Sequence, residues 1–376
     1  MEMKLIKIFQ RLHRHPELSM NEYKTTEYLR KILLDANIRL QDTTLETGLI
    51  AVIGNGNTPV VALRADIDAL PIQEQTDIPY SSETPGVMHA CGHDFHTACM
   101  LGAALLLKER ESLLDGTVKV IFQPAEEINK GADLLAETGL LDDVKLFLAG
   151  HTYPWFPAGT LGIRSGAVMA AADRFCVTVK GKGCHAANPD KGNDPIPALA
   201  AVISAFQTIV SRRIDPFESA VVSITRVNAG NTWNVVPETA FLEGTVRAMD
   251  EDVRSGICQS MEQLASATAK AYGCEAIFEY EKGPAPVIND IAVCERAAVV
   301  ARELGLNVQI NPPSMIAEDF SRYLKIAPGA LFRIGTGGGF DNHHPSFTAD
   351  PSALLPAAKF FAVLAEKELK ILNHGL

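Results

Sequence analysis

The chain has 376 residues, of which 47% are hydrophobic and 21% are charged, and its formal net charge is −11. This composition is typical of globular proteins, and the length predicts two domains, because single hydrophobic cores stop growing at about 250–300 residues. The acidic balance, without a basic cluster, argues against a nucleic-acid-binding surface, which needs Lys and Arg to displace counterions.

The N-terminal sequence and the cysteines indicate the cellular compartment. The start, MEMKLIKIFQRLHRHPE, has neither the apolar segment nor the cleavage site of a signal peptide. The longest apolar stretch, around residues 98–107, is shorter than the ~20 residues that cross a bilayer. The seven cysteines are an odd, widely spaced set, which does not favour disulfides. We therefore expect a cytoplasmic protein with reduced thiols and no membrane partner.

Helical and strand patterns alternate along the first part of the chain. In chain order, they predict helices at 1–15 and 23–36, strands at 49–53 and 60–63, a helix at 93–108, a strand at 118–122, a helix at 132–138 and a strand at 144–149. Strands that alternate with helices indicate an α/β layered domain.

The middle of the chain has a different order of elements. Its predicted elements are a strand at 175–179, a helix at 198–210, strands at 221–227 and 240–246, a helix at 253–271 and a strand at 276–280. This β-α-β-β-α-β order is the ferredoxin-like split unit. Afterwards the α/β pattern resumes, with a helix at 292–304, a strand at 331–334 and a helix at 354–369. We predict a discontinuous catalytic, metal-binding domain, residues 1–171 and 282–376, with a lid or dimerisation-type domain of residues 172–281 inserted into it.

Three histidines, a thiol and a carboxylate fall within eight residues in the segment His89-Ala-Cys-Gly-His-Asp-Phe-His96. Cys and His are the usual ligands of Zn²⁺ and related ions. Gly92 lets the backbone turn, so that Cys91 and His93 can face one ion. A redox thiol beside structural histidines is the competing interpretation of this segment alone.

Further donors follow the predicted strands. Glu126 and Glu127 come directly after the strand at 118–122, at the sheet edge where α/β proteins place ligands. One carboxylate could hold a metal while the other acts as a general base, although an isolated pair more often caps a helix. His151 follows the strand at 144–149, and an Asp-Asn-His-His-Pro segment, residues 341–345, follows a glycine-rich turn. Donors at several strand ends together favour a two-metal site.

The chain resembles the amidohydrolase branch of the M20 metallopeptidase family, which contains N-acyl-amino-acid, hippurate and auxin-conjugate hydrolases. The matching stretches occur in the family's order and extend from Leu12 to Phe347: LHRHPEL, ALRADIDALPIQEQT, MHACGHDFHTA, IFQPAEE, GKGCHAANP, NTWNVVPE, EGTVR, AEDF and HHPSF. The resemblance implies an α/β fold: a metal-dependent exopeptidase-like core with a mixed sheet between helices, plus an inserted ferredoxin-like α+β lid.

The resemblance also implies the roles of individual residues. The implied metal ligands are Cys91, His93, Glu127, His151 and His343, although His344 stands beside the last of these. Glu126 is the implied general base, and His185 and Asn234 lie in lid motifs that face the substrate in relatives. The chain departs from the family at Cys184, where glycine is frequent, and at residues 152–155, after His151.

The expected activity is hydrolysis of the amide bond of N-acyl, mainly N-acetyl, amino acids with two divalent ions per chain. Mn, Zn, Co and Ni remain open as the metal, and a homo-oligomer remains open as an assembly. The alternatives are a di- or aminopeptidase on the same scaffold, a non-catalytic binding protein, and an interaction module with a structural metal. Asp66 and Asp68 are expected to orient the ligand histidines, whereas His13 and His15 are expected to belong to a structural helix end.

Overall fold

The computed structural model of the protein describes residues 1–375, which form two compact units. Unit 1 comprises Met1–Val168, Ile288–Pro312 and the chain from Asp319 onward. Unit 2 comprises Met169–Val287 and Pro313–Glu318. The segment 172–281, which the sequence predicts as a lid, lies within unit 2.

Eight α-helices occur among the described residues. They are α1 (Glu2–Arg14), α2 (Tyr23–Asp35), α3 (His93–Glu109), α4 (Gly131–Glu137), α5 (Pro195–Arg213), α6 (Glu251–Ala271), α7 (Ile291–Glu303) and α8 (Leu354–His374). Helices α5, α6 and α7 each begin after an aspartate whose side chain accepts backbone N–H groups of the first turn. These caps satisfy donors that a helix end leaves without partners.

The same residues contain sixteen strands. They are β1 (Arg39–Leu40), β2 (Leu49–Gly54), β3 (Val60–Asp66), β4 (Thr117–Gln123), β5 (Val144–Tyr153), β6 (Thr160–Ile163), β7 (Gly166–Met169), β8 (Ala171–Lys180), β9 (Cys184–His185), β10 (Ala220–Ala229), β11 (Val235–Val236), β12 (Thr239–Ala248), β13 (Glu275–Lys282), β14 (Val287–Asn289), β15 (Asn307–Ile310) and β16 (Gly329–Gly335).

An eight-stranded mixed sheet forms the centre of unit 1, in the order β1-β2-β4-β3-β5-β16-β6-β15. The four central strands, β4, β3, β5 and β16, are mutually parallel. Their carboxyl ends therefore lie at one edge of the sheet, which is where open α/β sheets bind ligands.

Both faces of this sheet are covered. Helices α1, α2, α3, α7 and α8 share one continuous hydrophobic cluster with the strands, to which β5 contributes Leu146 and Leu148. Phe147, between them, points to the other face, because side chains alternate along a strand. Its ring stacks on Tyr323 at a centroid distance of 5.2 Å. Because both faces are covered, all seven residues of β3 and all seven residues of β4 are buried, including their polar ones.

Unit 2 contains an antiparallel four-stranded sheet in the order β10-β12-β8-β13. Helices α5 and α6 pack on one of its faces, where Phe175 and Leu242 of the strands contact the hydrophobic cluster that includes Phe206 and Met261 of the helices. The elements β8, α5, β10, β12, α6 and β13 follow the β-α-β-β-α-β order that the sequence predicts.

Helix α5 is the one described helix that is long and apolar enough, by length and composition alone, to cross a membrane. Its residues Leu199, Val202, Phe206 and Ile209 are buried in the unit 2 core. A helix that packs one face on a sheet in this way is also what the core of an α+β domain contains, so its hydropathy is weak evidence of a membrane span.

The fold class predicted from the sequence is confirmed: a mixed α/β sheet between helices, with a ferredoxin-like α+β unit. One detail was wrong. The strand predicted at 144–149 continues to Tyr153, so His151 lies within β5 and not after it. The cause is the parallel pairing with β16, which extends as far as Gly335 opposite Tyr153.

Candidate metal centre

The side chains predicted to bind metal converge at the carboxyl edge of the central parallel strands. Glu126 and Glu127 follow β4, His151 lies near the end of β5, and His343 lies in the loop after β16. Cys91 and His93 reach the same place from the turn that opens α3. We call Cys91, His93, Glu126, Glu127, His151 and His343 the donor cluster.

The turn before α3 depends on Gly92, whose φ is +84°. This left-handed conformation is unfavourable for residues with a Cβ atom. A Cβ atom at Gly92 would also lie 2.7 Å from Thr152 Oγ1, so there is no space for a side chain. Gly92 therefore brings the Cys91 and His93 backbone against the end of β5.

The distances within the donor cluster are those of atoms that could share ions. Cys91 Sγ lies 3.5 Å from His151 Nε2. His93 Nε2 lies 3.8 Å from Glu126 Oε2 and 3.8 Å from Glu127 Oε1. Three sets of donor atoms, each within 4.8 Å of one another, cover the cluster: Cys91–His93–His151, Cys91–Glu127–His343 and His93–Glu126–Glu127.

The geometry distinguishes His343 from its neighbour His344. His343 Nε2 lies 3.5 Å from Glu127 Oε2, within the cluster. His344 instead accepts the Ser346 N–H at Nδ1, at 3.0 Å, and its ring stacks on Phe340. Among the described residues, His344 belongs to none of the potential metal-binding groups.

Two aspartates lie at the end of β3 and just after it, and one of them, Asp68, orients a histidine of the donor cluster, as the sequence analysis expected. His93 Nδ1–H donates to Asp68 Oδ1 at 3.1 Å, which leaves Nε2 directed at the cluster. Asp68 Oδ2 also accepts the Glu127 N–H at 3.0 Å and the Ser19 hydroxyl at 2.7 Å. One carboxylate thus positions two of the donors.

Asp66, the last residue of β3, contacts His96, and both ring nitrogens of His96 are engaged in hydrogen bonds. The backbone N–H of Thr152 donates to His96 Nε2 at 2.8 Å, so the ring proton is on Nδ1, which donates to Asp66 Oδ1 at 2.6 Å. Although Asp66, His93 and His96 are close enough to hold an ion, His96 has no lone pair left for one. Its role is to connect Asp66, at the end of β3, to the backbone of β5 next to His151.

The electrostatic environment is that of buried groups. Burial raises the pKa of the Cys91 thiol well above its usual value, and the Glu127 carboxylate adds to this effect. Burial lowers the pKa of His151 well below its usual value, as does the guanidinium of Arg333, its register partner on β16. His151 is therefore neutral. Its Nδ1–H donates to the Thr152 carbonyl, which leaves the Nε2 lone pair facing Cys91.

His93 differs from His151. Burial acts to lower the pKa of His93, but Asp66, Cys91 and Asp68 outweigh it and raise the pKa well above its usual value. The raised pKa favours a ring with protons on both nitrogens. A divalent cation that binds Nε2 would have to displace the Nε2 proton, so metal binding and proton release would be coupled.

Two buried atoms test whether a cation fits the donor cluster. His93 Nε2 and Glu127 Oε1 are both fully enclosed and have no hydrogen-bond partner in the described structure. Leaving buried polar atoms unpaired costs free energy, roughly 1–3 kcal/mol each. Together with a thiol and imidazole nitrogens, these atoms form the donor set of borderline-soft divalent ions. The residues present fit such ions.

A second buried network lies behind the donor cluster. His13 Nδ1 contacts Asp94 Oδ2 at 2.6 Å, and Nε2 contacts Glu74 Oε1 at 3.2 Å. Burial lowers the pKa of His13, but the two carboxylates outweigh it and raise the pKa to about 9. The expected structural role of His13 thus takes the form of a buried ion pair between α1 and α3. His15, at the end of α1, is exposed.

His185 and Asn234, predicted to bind substrate, lie in unit 2. His185 ends β9, and Asn234 directly precedes β11, the strand that pairs with β9. The Ala186 N–H donates to the Asn234 carbonyl at 3.1 Å. His185 is exposed and lines an open cavity of about 810 Å³. Cys184, one of the departures from the family, lines the same cavity.

Sequence reasoning gave Thr152, Arg333 and Asn342 no role in the donor cluster. Thr152 Oγ1–H donates to the Cys91 carbonyl at 2.9 Å, and Asn342 Nδ2–H donates to the same carbonyl at 3.0 Å. An arginine inside a buried strand is the one sequence signal that could have identified Arg333. The other two residues become visible only when the segments meet.

Comparison with known proteins agrees with this geometry. Residues 62–367 match the model of peptidase family M20/M25/M40. Two Bacillus subtilis (strain 168) proteins, an N-acetyl-L-cysteine deacetylase and an N-acetylcysteine deacetylase, are 43% and 45% identical to the chain. These alignments cover 98% of this chain and 89% of the first relative, and 96% of both chains for the second.

A solved structure is similar along its whole length. The Bacillus subtilis YXEP protein, described as a dinuclear metal-binding peptidase of the M20 family, superposes with a TM-score of 0.90 at 42% identity. The superposition covers 98% of each chain.

Proposed function

The chain belongs to peptidase family M20/M25/M40, and we propose that it hydrolyses the amide bond of N-acetyl amino acids, with N-acetylcysteine as the first substrate to test. The observation that carries the proposal is the donor cluster: five ligand side chains and one further carboxylate, Glu126, around the unpaired Nε2 of His93. The relatives named as deacetylases of N-acetylcysteine supply the substrate class.

We assign the metal ligands as Cys91, His93, Glu127, His151 and His343. Five ligands exceed the four of a closed structural zinc site, which supports two ions per chain rather than one structural ion. Bound divalent ions supply Lewis-acid chemistry: they polarise the acyl carbonyl and make water more acidic. The thiol and imidazoles favour Zn, Co or Ni over Mg or Ca, and the Glu127 carboxylate also suits Mn.

Glu126 is assigned the proton transfers. Its Oε2 lies 3.8 Å from His93 Nε2, so the carboxylate faces the space between the proposed ligands. There it takes the proton of the attacking water and delivers it to the nitrogen of the departing amino acid. A general base must lie within about one hydrogen bond of the proton it abstracts.

The positions of the two glutamates follow from a strained turn. Ala125 has a φ of +53°, which is uncommon for a residue with a Cβ atom. Its N–H donates to Glu22 Oε1 at 2.9 Å, and its carbonyl accepts the N–H groups of Lys130 and Gly131. Turns over-determined in this way recur at functional sites, because strain persists only where the surroundings impose it.

We further propose that unit 2, with boundaries near 172 and 281, acts as a lid, and that His185 and Asn234 contact the substrate. The exposed His185 ring accepts the Ala187 N–H at Nδ1, at 3.0 Å, which directs Nε2 outward. A lid that closes over a substrate excludes water and completes the site.

We also propose that the protein works in the cytoplasm, on the basis of its cysteines. All seven are free thiols in the described structure, in accordance with a reducing cytoplasm. Light scattering of the purified protein would decide whether it assembles into a homo-oligomer.

The decisive experiment combines metal analysis with a substrate panel. The panel contains N-acetylcysteine, N-acetylmethionine, benzoylglycine and several dipeptides, and each is assayed before and after chelation. The proposal expects close to two ions per chain and chelator-sensitive release of acetate from the N-acetyl amino acids. Preferential cleavage of dipeptides would assign the chain to the peptidases. A metal-loaded protein that cleaves none of these substrates would favour a non-catalytic binding protein.

A further inference from the structure

The side-chain amide of Asn342 lies where three parts of the donor cluster meet. Asn342 directly precedes the proposed ligand His343. Its Nδ2 donates to the carbonyl of Cys91 at 3.0 Å and to Thr152 Oγ1 at 3.1 Å. Thr152 in turn directly follows His151. One amide group thus connects the backbone segments that carry Cys91, His151 and His343.

Thr152 completes this arrangement. Its hydroxyl accepts the hydrogen bond from Asn342 and donates its own proton to the Cys91 carbonyl at 2.9 Å. The Cys91 carbonyl therefore accepts two hydrogen bonds, and the three groups form a closed triangle. We call Asn342, Thr152 and the Cys91 carbonyl the latch.

The loop that carries His343 needs such a support. Gly337, Gly338 and Gly339 all have positive φ, so the chain approaches the site through its most permissive residues. His343 itself has a φ of +69°, an uncommon conformation for a residue with a side chain. Its imidazole is 52% exposed, so packing does little to hold it in place.

Backbone hydrogen bonds also hold both ends of this loop, at Gly337 and at Pro345. Two further contacts lie beside His343. The His343 N–H donates to the Ala90 carbonyl at 2.8 Å, and the Trp155 indole N–H donates to Asp341 Oδ1 at 2.6 Å. The first holds one backbone group, and the second is an exposed contact. The latch is the contact that joins the loop to both other ligand segments.

We propose that Asn342 is a positioning residue that holds His343 in its ligand geometry before any ion binds. The inference rests on the proposed metal centre, since it assigns His343 as a ligand. Asn342 touches neither the ions nor the substrate in this assignment. It acts by removing the freedom that the glycine-rich loop would otherwise have, so its loss should weaken the ion that His343 binds.

The test is the metal affinity of the Asn342→Ala variant, measured by competition with a fluorescent chelator. Removing a group that orients a ligand typically costs about 10–100-fold in metal affinity. We expect a loss of that size for one of the two ions, with the other changed less than threefold. Thr152→Val leaves the Asn342–Cys91 hydrogen bond and should lower metal affinity less than Asn342→Ala does. Thr152→Ser keeps the hydroxyl and should bind metal as tightly as the wild type.

Asn289→Ala is the matched control. The Asn289 side chain donates to the carbonyls of Arg164 and Leu331, both at 2.9 Å, and so also joins two segments of unit 1, but it contacts no proposed ligand. The Asn289→Ala substitution should lower the free energy of unfolding of the metal-free protein, while metal affinity stays within threefold of wild type.

A second readout requires no metal and no activity. In the metal-free protein, amide hydrogen exchange of residues 336–346 should accelerate at least tenfold in Asn342→Ala and stay near wild type in Asn289→Ala. Unchanged exchange and metal affinity in Asn342→Ala would overturn the inference, as would an equal loss of affinity in Asn289→Ala. A wild-type chain that binds no divalent ion would instead refute the proposed metal centre itself.

Discussion

Replacing Glu126 by Gln separates the two adjacent glutamates, because Gln keeps the size of the side chain and loses its basicity. Both carboxylates lie 3.8 Å from His93 Nε2, so this distance alone does not distinguish them. Glu127 also lies 3.5 Å from His343 Nε2, and its N–H is held by Asp68. This second histidine is the basis for the proposed assignment of Glu127 to the metal and Glu126 to proton transfer.

The expected loss follows from what a general acid–base group contributes. Such groups are typically worth about 10²–10⁴ in rate, or roughly 2.7–5.5 kcal/mol of activation free energy. In the proposed mechanism Glu126 serves in both attack and amine departure, so kcat of Glu126→Gln should fall by about 10⁴ or more. Its metal content and thermal midpoint should stay close to wild type.

Glu127→Gln is the matched comparison, because the same chemical change is made one residue away. It should lower metal affinity, and added metal should recover part of the lost kcat. If the pair merely capped a helix, either change would cost about 1 kcal/mol of stability or less and leave turnover intact. The assay is kcat on N-acetylcysteine with metal content measured on the same samples. A metal-loaded Glu126→Gln enzyme within tenfold of wild type would show that the base is wrongly assigned.

Three further predictions concern other histidines and Asn234. His343→Ala should reduce bound metal toward one ion per chain, whereas His344→Ala should keep two; the reverse result in metal analysis would exchange their roles. Because the pKa of His13 is raised to about 9 in the folded protein, its buried ion pair stabilises the fold fully below pH 6.5 and is lost as the pH rises through 9. A shift of about 2.5 pKa units corresponds to about 3 kcal/mol, so urea unfolding should show the wild type losing roughly that much relative to His13→Gln between pH 6.5 and 9. His185→Ala and Asn234→Ala should change KM or kcat on N-acetylcysteine at least tenfold with metal content unchanged, and wild-type kinetics in both would remove them from the proposed substrate site.

The sequence predicts the long, strongly patterned elements and misses the short ones. Helices α3 and α6 are long, and strands β3 and β4 each contain a short apolar segment that the sequence shows directly. Strand β15 is a four-residue, largely exposed segment, and it is a strand only because it pairs in parallel with β6. Pairing partners are tertiary information, which a local pattern does not contain. The same limit placed the end of the strand before His151 too early.

The identity of the donors could be predicted from the sequence, but their hydrogen-bonding state could not. His93 and His96 lie three residues apart in one motif, and both are imidazoles beside an aspartate. What separates them is the backbone N–H of Thr152, which occupies Nε2 of His96 and leaves Nε2 of His93 unpaired. That N–H arrives from β5, more than fifty residues further along the chain. The family resemblance already favoured His93 over His96, and the fold supplies the physical reason for that choice.

The topology explains why a site so dispersed in sequence can form at all. Parallel strands β3, β4, β5 and β16 end at one edge, so residues after each of them meet without any long rearrangement of the chain. Asp68, Glu127 and His151 are held by that sheet directly, whereas His343 arrives on a loop that continues eight residues beyond β16. The rigid part of the site thus needs only the folded sheet. In the proposed assignment, the affinity for the ion at His343 depends instead on how well the glycine-rich loop is fastened to the sheet, and polar contacts of residues that are not themselves ligands acquire influence over the metal.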